Sequence, residues 1–225
     1  MTIFLSFFLP VLLFLGSWQI SRGMDKQEIW DLNNLNKSLP VMSEEEALSL
    51  NFENAVYRSI FLDGRFKEES YLLDNRLYRQ EAGYEVFSVF KTLNNNTYLV
   101  NRGWIPEKLR KRTKRPETLP LGEVVVEGIL RGDNRKGYFV PENEPNNEVW
   151  MYVNTKQIAE YRKIGPVPSY YVDQIREPGP YKLPIGATAK ITVRNEHLKY
   201  AVTWFLLAAT LLVGFNGLVG AKILG

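Results

Sequence analysis

Residues 194–204 read RNEHLKYAVTW, and Tyr200 opens an uncharged run, YAVTWFLLAATLLVGFNGLVGA, that lasts to Ala221. An α-helix rises about 1.5 Å per residue, so a run of this length matches a hydrocarbon core of roughly 30 Å and pairs its own backbone amides. The pattern predicts a transmembrane helix over residues 197–222, with Asn195 as a cap and Lys222 as a cation at its C-terminus. The opposite end of the chain carries a second run, TIFLSFFLPVLLFLGSWQI, from Thr2 to Ile20. Pro10 lies inside it, a break that membrane helices tolerate. A cleaved signal peptide is the competing reading. The start lacks Lys and Arg, and Gly16-Ser17-Trp18 is a poor cleavage site, so the run is expected to be retained as a transmembrane helix over residues 2–20.

Two spans put both termini on one side of the membrane and the residues between the uncharged runs on the other. Near the membrane that middle carries Arg22, Lys26, Lys37, Lys182, Lys190, Arg194 and Lys199, against Lys222 alone at the termini. Charge counting therefore places the middle in the cytoplasm, but the rule weakens for loops beyond about 60 residues.

The 225-residue chain is 45% hydrophobic and has a net charge of +3, too small to point to nucleic acid. It contains no cysteine, which excludes disulfides, thiolate metal sites, iron–sulfur clusters and cysteine catalysis. His197 is the single histidine, so no site of two histidines forms within one chain. Enzyme signatures are missing as well: there is no phosphate-binding glycine loop, His-Glu-x-x-His helix or Gly-x-Ser-x-Gly elbow. The one Ser-x-x-Lys, Ser88 to Lys91, sits in a period-2 segment where residues three apart point to opposite faces. The chain is expected not to be an enzyme.

In the middle, Ile29, Leu32 and Leu35 recur at helical spacing, so the first helix is expected to continue as an amphipathic stalk ended by Pro40. Ser43 and Glu46 read as a capping box for a short helix through Leu50. Strand patterns follow at residues 57–66, 84–93, 97–106 and 123–132, with Asn94-Asn95-Asn96 as a hairpin turn. Trp150 to Val153 reads as a further strand, Thr155 to Tyr161 as a helix and residues 168–175 as a last strand. The basic run Lys108 to Arg115 reads either as a solvated loop or as a surface for anionic lipid or an acidic partner. The expected fold class is a membrane protein in which two transmembrane α-helices flank one mainly antiparallel, barrel-like α+β extramembrane domain.

His197 stands about one turn before the uncharged run, with Tyr200, Ala201 and Trp204 at i+3, i+4 and i+7 on the same helix face. A flat macrocycle could lie there with its iron on the imidazole, since haem needs an axial ligand and a dry wall. Aromatic residues collect at any membrane interface, so on the residues alone an ordinary boundary is the stronger reading of this face. Because the first helix leaves the membrane where the second enters, Gly16, Trp18 and Gln19 share a leaflet with His197 and Trp204. The two helices could frame a groove, with Gly16 permitting close approach. Gly214, Gly217 and Gly220, along with Ala201, Ala208 and Ala209, allow a helix contact within the chain or with a partner.

The chain resembles the surfeit-locus (Surf-one) family of cytochrome c oxidase assembly proteins. The resemblance rests on Leu15-Gly16-Ser17-Trp18-Gln19 with Arg22 and Lys26, Gly64-Arg65-Phe66, Val100 to Pro106, and Val126-Glu127-Gly128. It continues through Pro141, Asn143, Pro145, Asn147 and Trp150, then Pro184-Ile185-Gly186, and ends in Arg194 to Trp204. Where the family pattern has Asp after that tryptophan, this chain has Asn154. The resemblance implies two membrane helices around a domain facing the periplasm or intermembrane space, against the charge count. It implies a role in maturing the haem-bearing catalytic subunit of the oxidase, haem A as cofactor with His197 as metal ligand, and haem A synthase as a further partner. With no long basic presequence, a bacterial plasma membrane is the expected location and the mitochondrial inner membrane the alternative. A scaffold that binds no cofactor is the alternative function.

Overall fold

A computed structural model describes residues 2–111, 114, 119–120, 122–133, 136–175, 183–186 and 196–223. The chain divides into two compact units, residues 1–34 with 191–225, and residues 35–190.

The first unit is helical. α1 (Thr2–Ser38) runs unbroken through Pro10 and carries the expected stalk, whose end precedes Pro40. α5 (His197–Ile223) begins at the single histidine. Among the described residues one helix, His197–Phe215, is long and apolar enough to cross a membrane. Of the two expected spanning helices, α5 alone meets that length and apolarity among the described residues, and the side chains of residues 2–5 in the α1 run lie outside the described ones. The Asn195 cap lies outside the described residues, as do Arg112, Thr113 and Arg115 of the basic run.

The second unit is an α+β domain. The Ser43 hydroxyl accepts from the Glu46 amide at 3.2 Å and caps α2 (Glu44–Ser49); Asn51 caps the single turn α3 (Phe52–Ala55) in the same way. Five strands follow: β1 (Ser59–Tyr78), β2 (Glu81–Thr92), β3 (Thr97–Pro106), β4 (Val124–Gly132) and β5 (Tyr170–Gln174). They pair in the order β1-β2-β3-β5-β4, and β4 returns to β1, so the sheet closes on itself. The sheet is mixed rather than a clean antiparallel barrel. β3 and β5 run parallel over two register pairs, and both β1 and β2 carry irregularities. A parallel pair needs a long crossover. Here the crossover contains β4 and α4 (Thr155–Arg162).

Two expectations are corrected. Residues 150–153 form no strand: Trp150 makes an isolated bridge to Leu73, and its carbonyl accepts from the Asp74 amide at 2.7 Å. Second, β1 extends twelve residues beyond the expected Phe66. The charges in KEESYLLDNRLY disguise this half of the strand, which pairs with β2 out to Tyr78–Glu81.

Inside the closed sheet, Ile60, Leu62, Phe66, Phe90, Tyr98, Val100, Val126 and Val172 form one core. Phe87, Val89, Leu99, Trp150, Ile158 and Tyr171 form another, beneath α4. The three asparagines of the β2–β3 turn do more than turn the chain. Asn94 Nδ2 and Asn96 Nδ2 donate to the two carboxylate oxygens of buried Glu44 at 2.8 and 3.0 Å, tying α2 to the hairpin. Ser88, of the Ser-x-x-Lys pair, is buried on β2.

Between β3, β4 and β5, Asp173 lies 3.4 Å from Arg131 Nε and accepts from Asn101 Nδ2 at 3.0 Å. Burial pushes its carboxyl up to about 6, and nearby Glu85 adds to the rise; Arg131 and the Asn101 bond pull the other way without cancelling it. A raised carboxyl means that the folded chain binds more protons than the unfolded one between about pH 4 and 6. Stability must then fall as pH rises through that window, by on the order of 2–3 kcal/mol. Asp173→Asn is expected to flatten this part of the stability–pH profile, as measured by denaturant melts from pH 4 to 7. An unchanged slope would show that Asp173 titrates normally.

Candidate functional site

The aromatic and small residues picked out at the ends of the apolar runs lie on α1 and α5 of the helical unit. Gln19 Oε1 and His197 Nδ1 are 2.6 Å apart, which joins the two helices by one polar contact. An amide oxygen only accepts, so the neutral ring carries its proton on Nδ1 and its lone pair on Nε2. Fixing one ring nitrogen with a hydrogen bond is how proteins orient an imidazole that ligates through the other.

One turn deeper, Gly16 faces Phe205, and a Cβ at Gly16 would lie 2.7 Å from two carbons of that ring. Ala201 and Ala208 are buried on the same side of α5. This is a close helix contact built on small residues. Phe205 occupies the space that Gly16 leaves, the close approach expected of that glycine. Ala209 is exposed, and a Cβ at Gly214 would meet nothing.

Not every expected site residue joins this seam. Trp18 is 44% exposed and Tyr200 is 57% exposed, so both rings face outward from the helix pair. The Arg22 guanidinium lies 5.9 Å from the Trp18 ring centroid. Trp204 is half-buried, and its Nε1 is shielded with no hydrogen-bond partner among the described residues. An indole N–H in that condition forgoes about 1–3 kcal/mol unless something accepts from it.

Charge begins at the same level on both helices. Just past Gln19 on α1 come Arg22 and Asp25, 3.6 Å apart, and Glu196 and Lys199, 2.9 Å apart, bracket His197. The Gln19–His197 contact thus stands where apolar helix gives way to ion pairs.

The motif residues within the α+β domain have a different role. Arg102 is buried with its guanidinium 5.2 Å from the Phe66 ring centroid. Trp104 is buried, donates through Nε1 to the Arg76 carbonyl at 3.3 Å and lies 5.3 Å from the Tyr78 ring, tilted 35° to it. Its backbone exchanges two 2.8 Å hydrogen bonds with Ile185, so the Asn-Arg-Gly-Trp and Pro-Ile-Gly motifs bind each other. Asn143 Oδ1 accepts from the amides of Met151 and Tyr152 at 2.8 and 3.2 Å. Asn154 caps α4 by accepting from the Gln157 amide at 2.9 Å. Asparagine and aspartate are about equal at an N-cap, so this departure from the family pattern leaves the local structure intact.

The match to known proteins covers both units. The SURF1 family model matches residues 6–209, from α1 through the domain into α5. The chain belongs to the SURF1 family. A SURF1-like protein of Monosiga brevicollis is 32% identical over 89% of this chain and 80% of its own length. Surfeit locus protein 1 of Rattus norvegicus is 30% identical over 94% and 74%. A bacterial SURF1-like protein, from Rickettsia prowazekii (strain Madrid E), is 26% identical over 90% and 83%. SURF1 membership therefore extends over the helix pair as well as the closed sheet, and Gln19, His197 and Trp204 all lie inside the matched span.

Proposed function

We propose that this SURF1-family chain is a non-enzymatic assembly factor for cytochrome c oxidase. In this reading it binds haem A at the membrane boundary through His197 and passes it to the oxidase catalytic subunit, with haem A synthase as the upstream partner. The observation that carries the reading is the 2.6 Å contact between Gln19 Oε1 and His197 Nδ1. It orients the ring, so that Nε2 is the nitrogen that would ligate the iron, at the level where both helices enter apolar surroundings. His197 would hold the haem as its one protein ligand, and the buried Trp204 Nε1 is a donor that a ligand oxygen would satisfy. When bound, the haem supplies an iron centre for delivery. The chain's own task is to hold it, shield it and release it, and a single imidazole suits release better than two ligands would.

The same reading takes α1 as a second membrane span. Phe7, Phe14 and Trp18 on α1 and Val202, Leu206 and Val213 on α5 are all exposed, and an uncovered apolar face on each helix suits lipid rather than water. Relatives in a bacterium and in mammals fit either a bacterial plasma membrane with a periplasmic domain or a mitochondrial inner membrane with the domain in the intermembrane space. The second reading, a cofactor-free scaffold for an early oxidase intermediate, draws on Phe205 packing into the gap at Gly16.

Purification from cells that make haem A separates the two readings. The intact chain is expected to carry a haem A absorption spectrum that His197→Ala loses. Equal, near-zero haem in both proteins would leave the scaffold.

A further inference from the structure

Tyr138 and Phe139 are 95% and 93% exposed, adjacent on one turn of the α+β domain, with their rings edge to face at 5.1 Å. No other described pair of neighbouring aromatic residues in the domain is so bare. The turn that carries them is built rather than loose. The Val140 amide donates to the Gly137 carbonyl at 3.0 Å, and Lys136 pairs with Glu142 across the base. Glu142 also accepts from the Tyr152 hydroxyl at 2.8 Å. Next to it, Asn143 donates to the Tyr152 carbonyl and to Gln157 Oε1, at 3.2 and 2.8 Å. A fixed base holding two uncovered rings in water has lost the chance to bury them by local rearrangement.

We propose that the Tyr138–Phe139 tip is an interfacial anchor that inserts into the head-group region of a lipid bilayer. Three observations favour lipid over a protein partner. The tip is two residues wide, flanked by a charged pair and a proline, whereas a stable protein interface buries about 800 Å² on each side. Tyrosine and phenylalanine present apolar rings, and the tyrosine adds a hydroxyl, the chemistry that gathers at membrane–water boundaries. Finally, the chain carries a helix long and apolar enough to cross a membrane, which would keep lipid at high local concentration around the domain, so the tip needs only weak intrinsic affinity. The inference is separate from haem binding, and a chain without cofactor would anchor its domain in the same way.

The absence of cysteine makes the test clean. Phe139→Cys, labelled with an apolar fluorophore in the full chain, is reconstituted without haem into phosphatidylcholine nanodiscs, which leave both membrane faces open to water. Leu77→Cys, an exposed position on β1, is the control. The probe at 139 is expected to be quenched several-fold more by nitroxide-bearing lipid than the probe at 77, and to be protected from aqueous iodide. Adding Tyr138→Asp should return it to the control values; both residues are solvent-exposed, so neither change disturbs the core. A probe at 139 that behaves like the one at 77 overturns the proposal. So does protection from iodide without lipid quenching, which would mean a protein covers the tip.

Discussion

Alanine at Gly103 is expected to cost the α+β domain about 4 kcal/mol or more, among the largest losses a single methyl can cause. Gly103 sits in β3 at φ +117°, a conformation that side-chain-bearing residues rarely adopt, and its amide donates to Asn101 Oδ1 at 3.0 Å. A Cβ there would lie 1.9 Å from the Ile185 carbonyl oxygen and 2.4 Å from its carbon. Neither neighbour can yield cheaply, because that carbonyl accepts from the Trp104 amide. Relief would require the 184–186 segment to leave β3, taking both Trp104–Ile185 hydrogen bonds with it. Gly165 is the matched control: its φ is +89°, but a Cβ there meets nothing within 4 Å. Gly165→Ala should cost only the backbone strain, about 1–2 kcal/mol. Denaturant melts of the two variants beside the parent chain check the contrast, and equal losses would mean that backbone conformation, not the Ile185 contact, sets the cost.

Trp150→Ala is expected to cost about 3–5 kcal/mol. The indole is buried beside Val153 and Ile158, with Tyr71 and Tyr161 edge-on at ring-centroid distances of 6.0 Å each. The residue also fastens the irregular segment after β4 to β1, where the Asp74 carboxylate accepts from its amide at 3.3 Å. Truncation would open a cavity where that segment, β1 and α4 meet. Trp150→Phe should recover more than half of the loss. It keeps most of the ring, and it removes an Nε1 that is buried without a partner among the described residues. A melt showing alanine and phenylalanine equally damaging would place the energy in that nitrogen rather than in packing.

Both residues stand in stretches that sequence patterning reads unevenly. β3 is legible to the residue, because Thr97–Pro106 follows an asparagine turn and is apolar on both sides of Asn101-Arg102-Gly103. The capping box at Ser43 and the α4 helix are legible for the same reason: each is specified by contacts within a few residues. The long half of β1 is hidden, since its partners on β2 tolerate Lys67, Asp74 and Arg76 in the pattern. Trp150 to Val153 looks like a strand because its residues are apolar, yet their burial comes from packing under α4 rather than from a ladder. Nor could patterning reveal the parallel β3–β5 pair that closes the sheet, which depends on segments about 70 residues apart in sequence.

The candidate site was legible in composition and only partly in geometry. His197 stands out as the one histidine, and helical spacing puts Ala201 and Trp204 on its face. Spacing cannot say which way Trp18 and Tyr200 turn, and they turn outward. Nor does it reveal that Phe205 occupies the gap at Gly16, a matter of two helices in contact. The signal for the Gln19 contact was present: Gln19 is the single amide side chain in an otherwise uncharged run, and a buried amide in apolar surroundings needs a partner.

That contact leads to the most direct measurement of the account, haem A retained per mole of purified His197→Gly with and without added imidazole. If His197 contributes an axial imidazole, the glycine variant should emerge nearly haem-free and regain the parent absorption spectrum when imidazole fills the vacated space. A glycine variant that keeps the parent's haem content without imidazole would contradict the account, because the ligand would then lie elsewhere in the chain.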